Sequence, residues 1–280
     1  MTAARKECAI DLVSEGLSVT RACDLAGVGR ATWYRQVRDW RKADAAVIDA
    51  LNEVLKKSPR CGFWKCYGRI RMKGYRFNHK RVYRVYCQMG LNLPRSTKRI
   101  LPKRVSIPLE VMDEANCQWA MDFMHDSLYC GRRFRALNIV DEGTRECLAI
   151  EVDTSLPAER VLRVMEHLKQ DRGLPRQIRV DNGPEMISAK FVDWCHFNDV
   201  DVIYIQPGKP HQNGFIERFN GSFRREFLDA YLFGSISQVQ EMAWFWRMDY
   251  NEERPHESLG NLPPAIYRAK LENSTLQLSQ

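Results

Sequence analysis

Gln118-Trp-Ala-Met-Asp122-Phe-Met-His-Asp-Ser-Leu128, then a turn at Cys130-Gly131, then Arg133-Phe-Arg-Ala-Leu-Asn-Ile-Val140, is the stretch on which the fold depends. Both runs carry the apolar and aromatic content of strands, and the glycine between them marks a tight return. Working outward, Cys147–Val152 reads as a third strand. Ala158–Arg172 is an amphipathic helix whose stripe is Val161, Leu162, Val164, Met165 and Leu168. Gln177–Val180 is a short buried strand, Ala189–Phe197 a helix and Val202–Ile205 a strand. A loop with two prolines, Gln206–Asn213, leads to a helix from Gly214 to Phe227, and Gln238–Asn251 is a further helix rich in Trp and Met. Three strands, a helix, then alternating strand and helix predict an α/β domain with a mixed five-stranded sheet.

The N-terminal part has a different texture. Residues 5–38 read as three short helices, with Ala9, Ile10, Leu12 and Val13 as one stripe, Ser18 as an N-cap and Gly27-Val-Gly29 as the turn before the third helix. That is a helix-turn-helix layout, which a plain helical hairpin would also produce. Residues 39–58 read as a connecting helix, and 59–93 as a second helical unit with Ile70, Met72, Val82, Val85, Met89 and Leu91 in its core. The expected organisation is a helix-turn-helix-like region (1–58), a second basic helical module (59–93), a basic linker with three prolines (94–115), an α/β core (116–232) and a helical extension (233–280).

Charge separates the two halves. The chain of 280 residues has a formal net charge of +8, but residues 1–110 hold 24 Lys and Arg against 9 Asp and Glu, and the remainder is net acidic. Between Val54 and Leu109 there are 16 basic residues and no acidic one, interleaved with Phe63, Trp64, Tyr67, Tyr75, Tyr83 and Tyr86. One-sided charge of this kind is what neutralisation of a phosphate backbone requires. The composition, 44% hydrophobic and 28% charged, excludes a disordered or fibrous chain. No run approaches the roughly 18 apolar residues of a membrane span. With no apolar stretch near the N-terminus and nine scattered cysteines, the expected setting is the cytoplasm, in association with the nucleoid.

Three acids occupy special places. Asp122 lies in mid-strand among apolar neighbours, where a carboxylate needs a cation or a hydrogen-bonding partner. Asp181 directly follows the fourth strand, and the carboxyl ends of strands are where α/β sheets bind ligands. Glu217 is on the first turn of the helix after the proline loop. If the two strands are adjacent and the helix crosses them, the three converge. Clustered carboxylates without a basic partner suit Mg²⁺, which binds through a few carboxylates, water and substrate phosphates. Taken singly, each acid has a structural reading, as a turn Asp or a helix-start Glu.

These acids and their flanks resemble the D, D, E triad of the retroviral-integrase-like transposases. Thirty-five residues lie between Asp181 and Glu217, the spacing this superfamily favours. Asp181-Asn-Gly-Pro-Glu185 resembles its second-acid motif, and Lys209-Pro-His-Gln-Asn-Gly-Phe-Ile-Glu217-Arg-Phe-Asn220 its third. Arg254-Pro-His256-Glu-Ser-Leu-Gly260, with Pro263-Pro-Ala265, resembles the closing signature. Upstream, Cys61-Gly-Phe-Trp64 and Asn78-His-Lys-Arg-Val-Tyr-Arg-Val-Tyr86 resemble the helical unit of two-reading-frame insertion sequences, and the likeness is closest to their second-frame product, OrfB. Met186 departs from the usual Phe, and Lys65, Cys66 and Gly68 from the usual upstream pattern. The zinc-binding quartet of retroviral integrases is absent, and Cys61, Cys66, His79 and Cys87 fit no standard finger spacing.

The resemblance implies a ribonuclease-H-like core preceded by a helical DNA-binding region. It implies a DNA transposase in which Asp122, Asp181 and Glu217 are both catalytic residues and ligands of Mg²⁺, with Mn²⁺ able to substitute. Partners would be DNA, as element ends and target, a further copy of the chain on DNA, and a first-frame partner or fusion. Arg224, two turns beyond Glu217, would contact DNA, with pairing to Asp229 as the alternative. Lys209, His211, Asn213, Lys80 and Arg81 are the other expected DNA contacts. His125 could face the site or solvent, Glu185 would anchor the loop after Asp181, and Asp141 and Glu142 would cap a turn or pair with Arg145. Trp194, Trp244 and Trp246 are expected in the core. Two other functions fit parts of the sequence: a non-catalytic DNA-binding regulator using the helical half, and a structure-specific nuclease on the same core.

Overall fold

The structure, a computed structural model, describes residues 2–35, 40–93, 114–205 and 213–278. The chain divides into two compact units, Met1–Ile48 and Asp49–Gln280.

The first unit contains α1 (Thr2–Ser14), α2 (Val19–Leu25), α3 (Arg30–Tyr34) and α4 (Trp40–Ala43). The Ser18 hydroxyl accepts the Arg21 N–H, so it caps α2 as the sequence predicts. Ala9, Ala22 and Cys23 are fully buried. Ile10 is 47% exposed, so the buried stripe of α1 is narrower than the apolar residues alone suggest.

The second unit opens with α5 (Ala45–Lys57), whose first residues belong to the preceding unit, then α6 (Phe63–Met72) and α7 (His79–Gln88). Ile70, Val82 and Val85 are fully buried, as expected; Met72 is 45% exposed and its expected place is taken by Cys66 and Tyr86. Asn78 caps α7, its side chain accepting the Lys80 N–H at 2.9 Å.

The sheet comprises β1 (Gln118–Ser127), β2 (Arg133–Asp141), β3 (Cys147–Asp153), β4 (Gln177–Val180) and β5 (Asp201–Tyr204), in the order β3-β2-β1-β4-β5. The first three strands are antiparallel neighbours; β4 and β5 add in parallel on the other edge of β1. This is the mixed ribonuclease-H-like sheet, with β1 at its centre. The helices α8 (Ala158–Arg172) and α9 (Ala189–Phe197) cover one face, burying Val161, Met165 and Phe191 against Trp119, Met121, Leu137 and Ile178. The other face is covered by α10 (Gly214–Glu226) and α11 (Ile236–Glu252), whose Ile216, Phe219, Phe223 and Val239 pack on Ala120, Ala136 and Val140. A last helix, α12 (Pro264–Leu278), contacts α11. Trp246 packs on this second core and Trp194 on the first, both half-buried, with the Trp194 indole N–H on Glu166, whereas Trp244 is 51% exposed, so one of the three expected core tryptophans lies at the surface.

Candidate active site

Strand parity decides where Asp122 points. Trp119, Met121 and Phe123 belong to the core under α8 and α9, and Ala120 and Met124 to the core under α10. Side chains alternate along a strand, so Asp122 faces α10. Its neighbour across the ladder on β2 is Asn138, on the same face.

Parallel pairing then sets Asp181. Ala120 of β1 is level with Arg179 of β4, so Asp181, the first residue beyond β4, leaves the sheet on the side towards which β1 runs on to Asp122. One Asp181 carboxylate oxygen accepts the Gly183 N–H at 3.0 Å. A Cβ on Gly183 would lie 2.9 Å from that oxygen, so a side chain there would displace the Asp181 carboxylate from its present position.

The third acid comes from α10. Ile216, Phe219 and Phe223 turn inward, which leaves Glu217 exposed at the first turn. Asn220, one turn later, reaches the sheet: its amide N–H₂ donates to Asp122 Oδ2 at 2.7 Å, and its carbonyl accepts from Asn138 Nδ2 at 2.7 Å. The other Asp122 oxygen accepts the Phe123 N–H at 2.8 Å. Burial, together with the negative charges of Asp181 and Glu217, pushes the Asp122 carboxyl up to about 6, against the pull of the Phe123 and Asn220 hydrogen bonds.

A half-buried carboxylate that feels the negative charge of two further acids and accepts hydrogen bonds only from neutral donors suits a hard divalent cation. Among the described residues, no three His, Cys, Asp or Glu side chains are gathered to hold an ion by themselves. Magnesium does not require such a cage, because it takes one or two carboxylates and completes its shell with water and substrate phosphate. The donor set therefore fits Mg²⁺.

The surrounding residues divide as follows. Glu185 pairs with Arg135, whose guanidinium lies 4.2 Å from the centre of the Phe123 ring, and so ties the loop after Asp181 to β2. Asp141 caps a turn by accepting the Gly143 and Thr144 N–H groups. Glu142 pairs with Arg179 at 2.9 Å, and Arg145, which donates to the Glu142 carbonyl, adds its positive charge to that of Arg179 at the carboxylate. Arg224 pairs with Asp126 of β1, not with Asp229, and also donates to the His125 carbonyl at 2.6 Å. Its side chain keeps 34% exposure. Asn213 is only 5% exposed, with its amide oxygen buried and unbonded. Lys80 and Arg81 are exposed on α7. Lys209 and His211 lie outside the described residues.

Asn138 and Asn220 were not anticipated as site residues. The signal was a polar residue inside Ala136-Leu-Asn-Ile-Val140, where an unsatisfied amide would be costly. The closing signature also gains a physical meaning. Arg254 donates twice to Glu226 at the end of α10, each at 3.0 Å, and to Ser222 Oγ at 3.2 Å. Lys65 of α6 reaches the same Glu226, and Arg69 makes a two-pronged pair with Asp249 of α11 at 2.5 and 2.6 Å. A Cβ at residue 68 would lie 2.9 Å from Pro255, so the departure from the usual upstream pattern at Gly68 makes room for the signature.

Comparison with known proteins agrees with this architecture. Integrase core domain families match residues 113–210 and 198–264, and an HTH-like domain matches residues 42–99, over α5 to α7 rather than α1 to α3. The chain is 36% identical over 253 residues to an uncharacterized protein of insertion element IS476 from Xanthomonas euvesicatoria, covering 90% of this chain and 73% of the other. It is 34% identical to an uncharacterized protein of insertion element IS407 from Burkholderia multivorans, covering 91% of each. Transposase InsD of insertion element IS2 from Escherichia coli is 25% identical over 92% of this chain and 90% of its own. Among solved structures, the HTLV-2 integrase catalytic core in complex with magnesium aligns with 55% of this chain and 97% of its own at 16% identity, with a TM-score of 0.44.

Proposed function

This chain belongs to the insertion-element transposases of the integrase superfamily, and from that premise we propose that it catalyses Mg²⁺-dependent strand cleavage and strand transfer at the ends of its element. One observation supports the reading: β1, which carries Asp122, pairs in parallel with β4, which Asp181 directly follows, and the charges of Asp181 and Glu217 both act to raise the Asp122 carboxyl. Magnesium, when bound, supplies the positive charge that acidifies the attacking oxygen and stabilises the leaving one. The chain's own part is to position. Asp122, Asp181 and Glu217 hold the cation; Asn220 and the Phe123 N–H fix the Asp122 carboxylate; Gly183 fixes that of Asp181. Holding the reacting groups in line accounts for a large share of such a rate, and no covalent protein intermediate is needed. Calcium in place of magnesium is expected to permit DNA binding but little cleavage, because its looser shell aligns the oxygens less well. Cleavage equally fast in both ions would contradict this role for the acids.

DNA is the partner of the basic half in this reading, with a further copy of the chain, and a first-frame partner or fusion, completing the active assembly. The affinity of the full chain for duplex DNA is expected to fall steeply with salt. Lys80→Ala with Arg81→Ala should make the slope of log affinity against log salt shallower by roughly 1 to 2, since each phosphate contact contributes about 0.9. An unchanged slope would place both side chains away from DNA.

Arg224 faces two tasks. With 34% of its side chain exposed, it can hold Asp126 on one side and meet a phosphate on the other. Arg224→Ala should weaken binding of all end sequences alike and reduce the salt slope by about 1. If Arg224→Ala and Asp126→Ala instead lower stability together and leave DNA affinity untouched, Arg224 is only a brace for β1.

A further inference from the structure

The start of α6 and the start of α7 meet at an aromatic surface. Trp64 is 70% exposed, an unusual state for the largest apolar side chain. Its ring is stacked with that of His79, with centroids 6.2 Å apart and planes at 27°. Phe63 supports it from beneath, edge-on to Trp64 at 5.0 Å and to Tyr83 at 4.8 Å, and Tyr83 is itself 49% exposed. The platform lies inside the segment from Val54 to Leu109 that contains 16 basic residues and no acidic one, and Lys80 stands exposed beside His79. An apolar patch meant for another protein would normally be rimmed by both signs of charge. This one is set in uniformly positive sequence, which favours a polyanion.

From this we infer that Trp64, with His79 behind it, is a stacking platform for an unpaired or terminal DNA base. The argument is geometric. Inside a duplex every base face is covered by its neighbours, so an exposed indole can stack only on a base at an end or one that has been unstacked. The phosphate-binding charge around the platform holds the strand, and the ring adds a contact that duplex interiors cannot supply. The inference rests on the proposed action at DNA ends and adds a preference to it: the helical unit favours ends whose terminal bases are frayed.

The test uses the full chain and three labelled DNAs at one salt concentration: a single strand, a duplex with several unpaired terminal bases, and a closed circular duplex without ends. Trp64→Ala is expected to weaken binding of the first two by about tenfold, within the range for loss of one base–aromatic stack, and leave the circle unchanged. Trp64→Phe, which keeps a ring, should recover most of the loss, and the salt slope should not move because no cation is removed. Equal loss on all three DNAs would overturn the platform in favour of a duplex contact or a folding defect. No loss on any of them would overturn it as a DNA contact and leave the surface to a protein partner. Wild-type chain that binds none of the three DNAs would overturn the proposed transposase function as well, which separates that failure from failure of the platform alone.

Discussion

Asp122→Asn, Asp181→Asn and Glu217→Gln are each expected to lower Mg²⁺-dependent cleavage and joining by roughly a thousandfold or more, because several kcal/mol of transition-state charge stabilisation is lost with the cation. Each change keeps the shape of the side chain and removes one negative ligand. Folding should survive in all three. In Asp122→Asn the burial and like-charge repulsion that now push the carboxyl up to about 6 are relieved, so thermal stability should stay level or rise. DNA binding should also persist, since the basic half is untouched. The measurement is cleavage of a labelled end by each variant, with the unfolding midpoint and DNA affinity recorded alongside. A variant retaining wild-type turnover in Mg²⁺ would remove that residue from the site.

The second large effect lies in the buried ion cluster at the far end of α10. Glu226→Ala is expected to destabilise the second unit by about 3–5 kcal/mol, the cost of leaving buried charges without their partner. Arg254, 7% exposed, and Lys65 would both be stranded. Burial alone would push the Glu226 carboxyl up, but the Arg254 and Lys65 cations outweigh it and hold it down at about 2. Burial and the same Arg254 push His256 down to about 3. Both groups bind protons more readily in the unfolded chain, so both make stability fall on acidification. The His256 contribution declines from about pH 6.5 and the Glu226 contribution from about 4.5, continuing to about 3 and 2 respectively. Asp122 and Glu142, whose carboxyls burial raises to about 6 and about 7, act in the opposite sense over the upper part of this range, so each contribution is read as a difference from a variant: His256→Gln should lack a loss that begins near 6.5, and Glu226→Gln the portion below 4.5. A pH profile of unfolding that is the same in the wild type and in His256→Gln would contradict the buried, neutral imidazole.

Much of this architecture was legible because the signals were periodic. The strands of the core and the helices α8 to α10 fall within a residue or two of the ranges read from apolar spacing and turn residues. The relation of Asp122 to Asp181 was not legible, because it depends on the pairing of β1 with β4, which no local pattern states. Asn138 and Asn220 were missed for a related reason: an amide relay to Asp122 is made by residues 82 and 98 positions apart. Charge partners followed the same rule. For Arg224, expected on DNA with Asp229 as the alternative partner, the strand beneath it supplies Asp126, and Glu142 finds Arg179, 37 positions away, in addition to nearby Arg145. Exposure of Met72 and Trp244 reflects residue type outvoted by position on a helix face.

In the proposed function the three carboxylates serve a transfer reaction and not simple hydrolysis. The most direct measurement is a strand-transfer assay with the full chain, Mg²⁺, and a labelled duplex carrying the element's end beside an unlabelled target. Labelled products longer than the input are expected, formed when the released 3′ end is joined to target DNA, and they should be lost in Asp122→Asn. Released ends without joined products would instead assign the site to a nuclease, and neither product, with DNA binding intact, to a regulator.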